Sequence, residues 1–298
     1  MTCREADGGK PPGVLVYQFG RHHVDLRVSV TDRCNLRCTY CMPLDVTFMR
    51  QEKLLTFDEV TRCVSVAAEM GVRTIRLTGG EPLMRPNVYR LIQQLTRLPR
   101  IEEVALTTNG LLLADQAAGL AEAGLSRLNV SLDSLDEGRF ETISRRSGLQ
   151  RILEGLEEAG RQGFRSIRIN AVSIRGLTEQ EIVPLAMFCR AHRFLLRFIE
   201  FMPLDAEDAW SRQHVLTGLE VRRILEMHIG QLKRREPEDS GQPSVDYSYV
   251  DGYGIVGFIN PVSQPFCDRC DRLRLTADGQ FRNCLFSSKD WDARALLR

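Results

Sequence analysis

Two sets of three cysteines stand out in this chain of 298 residues. Cys34, Cys38 and Cys41 follow a C-x3-C-x2-C spacing, and Cys267, Cys270 and Cys284 follow C-x2-C-x13-C. Three thiolates on one loop can hold three corners of a [4Fe–4S] cube and leave the fourth iron open to another ligand. Structural zinc normally takes four ligands, and neither set has an obvious fourth Cys or His; His22 and His23 fall before the first predicted strand. Zinc stays the alternative for each set. Six of nine cysteines in two tight groups favour metal binding over a disulfide framework. Cys63 and Cys189 lie among apolar residues at helical spacing and read as small core residues, while Cys3 has no role.

Two further features could act beside such clusters. Gly79-Gly80-Glu81-Pro82 begins 38 residues after Cys41, and a turn with no Cβ lets backbone approach a ligand closely. The other is arginine. Only four lysines occur, at 10, 53, 233 and 289, so the basic residues are almost all planar forks suited to phosphate. Arg27, Arg76, Arg168 and Arg197 fall on separate predicted strands, and Arg272 and Arg274 follow the second cysteine pair. A lone arginine is ordinarily a solvated charge. Arg27 and Arg76, however, alternate with apolar residues, where unpaired burial would be costly. The histidines at 22, 23, 192, 214 and 228 read as surface or packing residues.

The elements that must position these residues alternate. Strands are predicted over 24–31, 73–78, 103–108, 126–132, 166–173 and 195–201, and helices near 57–70, 87–97, 115–123, 148–162 and 179–192. Thr56 with Glu59 forms a capping box, and Gly71, Gly124 and Gly163 follow helices where a left-handed residue is expected. Such alternation means βαβ units and a parallel sheet. Six units are too few to close an eight-stranded barrel. The expected fold is therefore α/β, an open partial (βα)6 barrel over 14–203, preceded by a disordered lead at 1–13. The first cysteine set, Gly79–Pro82, Thr108-Asn109-Gly110, Ser131-Leu132-Asp133 and Met202-Pro203 all fall at C-terminal ends of predicted strands, where chemistry sits in such folds. After residue 203 a helix near 217–229, a charged loop at 233–244 and two hairpin-like strands (245–251 and 253–260) lead to the second set, an α+β extension over 204–298.

Composition excludes some classes. The formal net charge is +1, with no basic excess for nucleic acid. No apolar run of 18 residues suggests a membrane span, and the lead lacks the apolar core of a signal peptide. The cytoplasm is the expected compartment, or the mitochondrial matrix if the source is eukaryotic.

Arg27–Pro43, Thr78–Arg85, Thr107–Gly110, Arg197–Met202 and the run Phe266–Gly279 with Cys284-Leu285-Phe286 resemble the GTP 3′,8-cyclase family of molybdenum cofactor biosynthesis, within the radical S-adenosylmethionine (SAM) superfamily. The resemblance covers nearly the whole chain from about Val16. It implies two [4Fe–4S] clusters, the first on Cys34, Cys38 and Cys41 and the second on Cys267, Cys270 and Cys284. It implies SAM contacts from Tyr40, Gly80, Ser131 and Met202. Arg27, Arg76, Thr107, Arg168, Arg272 and Arg274 would contact GTP, with Arg197 nearby. The reaction implied is radical cyclisation of GTP, whose product passes to a cyclic pyranopterin monophosphate synthase; a homodimer is also compatible. Two positions depart from the family, where lysine is frequent at the places of Thr74 and Arg168. The family's Gly-Gly tail falls beyond Arg298, and both cluster sites are expected to form without it. Another two-cluster radical SAM enzyme, or an inactive homologue that only binds GTP and SAM, are the other readings.

Overall fold

The structure, a computed structural model, describes residues 13, 15, 22–204, 210–237, 241–287 and 289–298. Apart from Gly13, the lead predicted over 1–13 lies outside the described residues, as does Cys3. The predicted alternation is present. Strands β1 (Asp25–Ser29), β2 (Thr74–Thr78), β3 (Glu103–Thr108), β4 (Arg127–Ser131), β5 (Ile167–Ser173) and β6 (Leu195–Glu200) pair in sequence order, all parallel. Helices α1 (Phe57–Glu69), α2 (Val88–Thr96), α3 (Leu113–Glu122), α4 (Glu137–Ser144), α5 (Leu149–Arg161) and α6 (Ile182–His192) lie between them. The capping box forms, with Thr56 Oγ1 accepting from Glu59 N and Glu59 accepting from Thr56 N. Gly71, Gly124 and Gly163 have φ of 113°, 86° and 83°. Helix α4 is absent from the sequence reading, because Glu137–Ser144 carries few apolar residues.

The residues after 204 extend the same sheet at both edges. Helix α7 (Gly218–His228) is followed by β7 (Leu232–Arg234), β8 (Val245–Tyr249) and β9 (Ile255–Ile259). Strand β9 pairs parallel to β6, and β8 and β7 continue antiparallel. At the other edge β10 (Arg272–Leu275) pairs parallel to β1, followed antiparallel by β11 (Gln280–Arg282) and β12 (Trp291–Asp292). The charged loop predicted at 233–244 thus begins as an edge strand. Among the described residues the sheet has twelve strands in the order β12-β11-β10-β1-β2-β3-β4-β5-β6-β9-β8-β7, and its ends do not pair, so it is open.

Period-two alternation gives each strand two faces. On β1 and β2, Leu26, Val28, Ile75 and Leu77 are fully buried under the helices, where each contributes about 1.5–3 kcal/mol. Their neighbours Asp25, Arg27, Thr74, Arg76 and Thr78 line a cavity on the other face. Cys63 and Cys189 are buried in the core, as expected. Among the described residues no helix is long and apolar enough to cross a membrane.

Candidate functional site

A cavity of about 610 Å³ lies over the inner face of the sheet. Its wall includes every arginine singled out from sequence: Arg27, Arg76, Arg168, Arg197, Arg272 and Arg274, together with Thr107. Tyr40, Ser131 and Met202 also line it, as do Cys267, Cys270 and Cys284. Seven arginines face four carboxylates there, Asp25, Glu103, Asp133 and Asp271. The seventh arginine, Arg127, was not picked out from sequence; it opens β4 and lines the cavity beside Glu103.

Several of these arginines keep a buried donor with no acceptor among the described residues. Arg76 Nη2 stands 3.8 Å from Asp25 Oδ2, and Arg197 Nη2 stands 3.5 Å from Asp246 Oδ2. The Nε atoms of Arg27, Arg76, Arg127 and Arg197 are buried without a hydrogen-bond partner among the described residues. Burial, reinforced by Arg76, pushes the Arg27 guanidinium well below its usual range. Burial, followed by Arg272, lowers Arg274 as well. A buried polar group without a partner costs roughly 1–3 kcal/mol, so a polyanion that accepts from several of them is strongly favoured.

The first cysteine set sits on the loop after β1. Cys34 and Cys38 are half-buried and Cys41 exposed, all three as free thiols. Leu36 N donates to Cys34 Sγ at 3.5 Å and Asn109 Nδ2 at 3.8 Å. Burial is the largest influence on each thiol and raises all three, with mutual repulsion adding to it at Cys38 and Cys41. Three thiolates at this loop therefore need a cationic centre. One tetrahedral ion would draw sulfurs to about 3.8 Å from one another. Among the described residues no three Cys, His, Asp or Glu side chains converge that way. Three thiols with no fourth Cys or His on the loop fit three irons of a cube whose fourth iron stays open.

Among the groups of hydrogen bonds around this loop, three stand out. Gly80 N donates to Thr31 O (2.8 Å) and Glu81 N to Arg33 O (2.7 Å), so the Gly79-Gly80-Glu81 turn runs alongside the loop's first residues. Gly80 does not line the cavity; its missing Cβ leaves room for the Arg33 carbonyl. Glu81, buried, accepts from Thr108 Oγ1 (2.7 Å), Asn109 N (2.7 Å) and Leu83 N (3.0 Å), which ties this turn to the end of β3. Burial raises its carboxyl despite these donors. Third, the Tyr40 hydroxyl donates to Asp133 Oδ2 at 2.5 Å, and Val172 N donates to Asp133 Oδ1 at 2.7 Å. Sequence alone named Asp133 only as a strand-end residue; its link to Tyr40 spans 93 positions.

The second set is grouped around β10 and β11, next to β1 in the sheet. Cys267 and Cys270 flank a single 3-10 turn, and Cys284 follows β11. Arg272 Nε donates to Cys270 Sγ at 3.2 Å, and its guanidinium stacks 4.9 Å from the Phe266 ring centroid. All three cysteines and Arg274 open on the same cavity as the strand arginines. Of the histidines, His23 is buried with Nδ1 3.2 Å from Asp271 O, and exposed His192 and His228 bond carbonyls of their own helices. These fit packing and surface roles.

Comparison with known proteins places this arrangement. The family model "Radical SAM superfamily" matches residues 28–189, and "Molybdenum Cofactor Synthesis C" matches residues 194–298. The GTP 3′,8-cyclase of Rhodopirellula baltica is 47% identical over 291 residues, spanning 96% of this chain and 81% of its own length. Those of Streptomyces coelicolor (42% identical, 96% and 84%) and Thermodesulfovibrio yellowstonii (39%, 94% and 87%) are similar. Among solved structures, Streptococcus suis SuiB bound to S-adenosylmethionine superposes with a TM-score of 0.67 at 15% identity, over 91% of this chain and 63% of that one. Methylornithine synthase superposes with a TM-score of 0.55 at 15% identity, over 70% and 62%. At such identities the structural likeness speaks for the fold alone.

Proposed function

Since the chain belongs to the GTP 3′,8-cyclase family of the radical SAM superfamily, we propose that its cavity takes GTP and SAM and that the chain is a lyase joining C3′ of the ribose to C8 of guanine. This is the first step of molybdenum cofactor biosynthesis. The observation that carries the reading is one cavity shared by seven arginines, the SAM candidates Tyr40, Ser131 and Met202, and the second cysteine set.

Radical SAM membership implies one [4Fe–4S] cluster and SAM. Cys34, Cys38 and Cys41 would hold that cluster, and Cys267, Cys270 and Cys284 a second one. When bound, the first cluster and SAM supply the electron and the 5′-deoxyadenosyl group that begin the reaction. The chain's own residues bind, orient and shield. Tyr40, fixed by Asp133, brings the cysteine loop to the cavity wall, with Ser131 and Met202 beside it. Arg27, Arg76, Arg168, Arg197, Arg272 and Arg274 receive the polyphosphate, with Thr107 on the same wall. Orientation of this kind can lower a barrier by roughly 7–11 kcal/mol when the reacting atoms are held at near-contact. Residues 14–203 would form the SAM half and 204–298 the half carrying the second cluster. The cyclised product would pass to a cyclic pyranopterin monophosphate synthase.

The test uses anaerobically reconstituted, dithionite-reduced protein with SAM, with and without GTP. Release of 5′-deoxyadenosine that depends on GTP, together with a cyclised GTP by mass spectrometry, is the expected result. Cluster-loaded protein that yields neither supports a homologue that binds these ligands without turnover.

A further inference from the structure

Arg127 has no role in the account above, yet the sheet places it in line with the other arginines. The pairings Arg274 with Arg27, Arg27 with Arg76, Arg76 with Ala105 and Ala105 with Arg127 set four guanidinium side chains at one level across β10, β1, β2 and β4. Only Ala105, too short to interrupt, stands in the row. Arg127 is 15% exposed and lines the cavity. Its Nη2 lies 2.5 Å from Glu103 Oε1, but that oxygen accepts no aligned hydrogen bond, so the contact is one of charge only. Its Nε is buried without an acceptor among the described residues. Burial and the neighbouring Arg168 lower its pKa to about 10, while Glu103 acts in the opposite direction. This cation has donors to spare and cationic neighbours, a setting that an anion completes.

The direction of the strands says which end of the ligand that anion belongs to. Arg127 opens β4 and Ser131 closes it. Four residues of strand span roughly 13 Å. If the reacting ribose lies near Ser131 and Met202, the phosphate chain runs toward the starts of the strands and ends at the arginine row.

Resting on the GTP reading of this cavity, we propose that Arg127 is a further phosphate-contact residue, binding the end of the nucleotide's triphosphate, and that Glu103 positions its guanidinium for that contact. Arg127 thereby selects for the triphosphate over shorter phosphate chains.

The experiment measures dissociation constants of GTP and GMP by equilibrium dialysis on the cluster-loaded protein, for wild type, Arg127→Gln, Arg127→Lys and Arg76→Gln. Arg127→Gln is expected to weaken GTP about tenfold or more, the size of a lost charge-assisted contact, and GMP less than twofold. Arg127→Lys restores charge without the fork and recovers part of the loss. If Arg127→Gln keeps the wild-type GTP-to-GMP ratio while Arg76→Gln lowers it, the cavity reading stands and the proposal is overturned. A wild type that binds GTP no better than GMP overturns both. Should Arg127→Gln fail to fold, Arg127→Lys decides: several-fold loss of the ratio supports the contact, and an unchanged ratio removes it.

Discussion

Replacing Cys38 with alanine is expected to remove roughly half the iron of the reconstituted protein and to abolish SAM cleavage. Only three thiols stand at this loop, so losing one leaves two corners for a cube that needs three. The arginines that line the cavity are untouched, so GTP binding should survive within about threefold. Cys270→Ala is expected to lose the other half of the iron and to keep SAM binding, while GTP no longer stimulates 5′-deoxyadenosine release. Iron and sulfide analysis with an anaerobic turnover assay checks both. Full iron content in Cys38→Ala, or continued 5′-deoxyadenosine release, would contradict the assignment of this loop.

The second large effect is expected at Gly80, which does not line the cavity. Gly80→Ala places a methyl 2.6 Å from the carbonyl carbon of Arg33 and closer still to its oxygen. Gly79 is nearly as tight, 2.5 Å from Thr31 O. Neighbouring backbone, not a flexible side chain, must move, and the hydrogen bonds Gly80 N to Thr31 O and Glu81 N to Arg33 O hold it in place. Overpacking of this kind costs typically 1–3 kcal/mol, and more where backbone is pinned. The shift falls on the segment leading into Cys34, so cluster occupancy and SAM cleavage should fall with stability. Gly119→Ala is the control: this glycine lies in α3 with nothing within 4 Å of its would-be Cβ. That change should stabilise by up to about 1 kcal/mol, the helix propensity difference. Chemical denaturation and iron content on the two variants separate the effects. A Gly80→Ala protein as stable and as iron-rich as wild type would show that the turn does not brace the loop.

Much of this was legible locally. The strand starts at Asp25, Thr74, Glu103, Arg127, Ile167 and Leu195 fall within one residue of the expected ones, because each strand alternates or runs apolar between turn residues. The cysteine spacings and the arginines on separate strands were legible as metal and phosphate candidates. What escaped depends on distant partners. Arg272–Leu275 reads as a short run after the second cysteine pair, yet it becomes β10 beside β1, about 247 residues away. That pairing is what puts Arg274 level with Arg27. Arg127 carried no signal in an arginine-rich chain until the register aligned it with Arg76 across Ala105. Glu81 read as part of a glycine turn, and its three donors come from Leu83 and from residues 27 and 28 positions later. The Tyr40–Asp133 bond joins a loop to a strand end across five elements, α1 to α3. Local pattern fixes which residues face inward; only the sheet fixes which of them meet.

The most direct measurement follows a hydrogen atom. GTP carrying deuterium at C3′ is incubated with SAM and the reduced, cluster-loaded protein, and the released 5′-deoxyadenosine is analysed by mass spectrometry. Cavity-bound GTP cyclised from C3′ predicts deuterium in 5′-deoxyadenosine and its loss from the cyclised nucleotide. Unlabelled 5′-deoxyadenosine formed alongside intact, fully deuterated GTP would contradict the cyclase reading of this cavity.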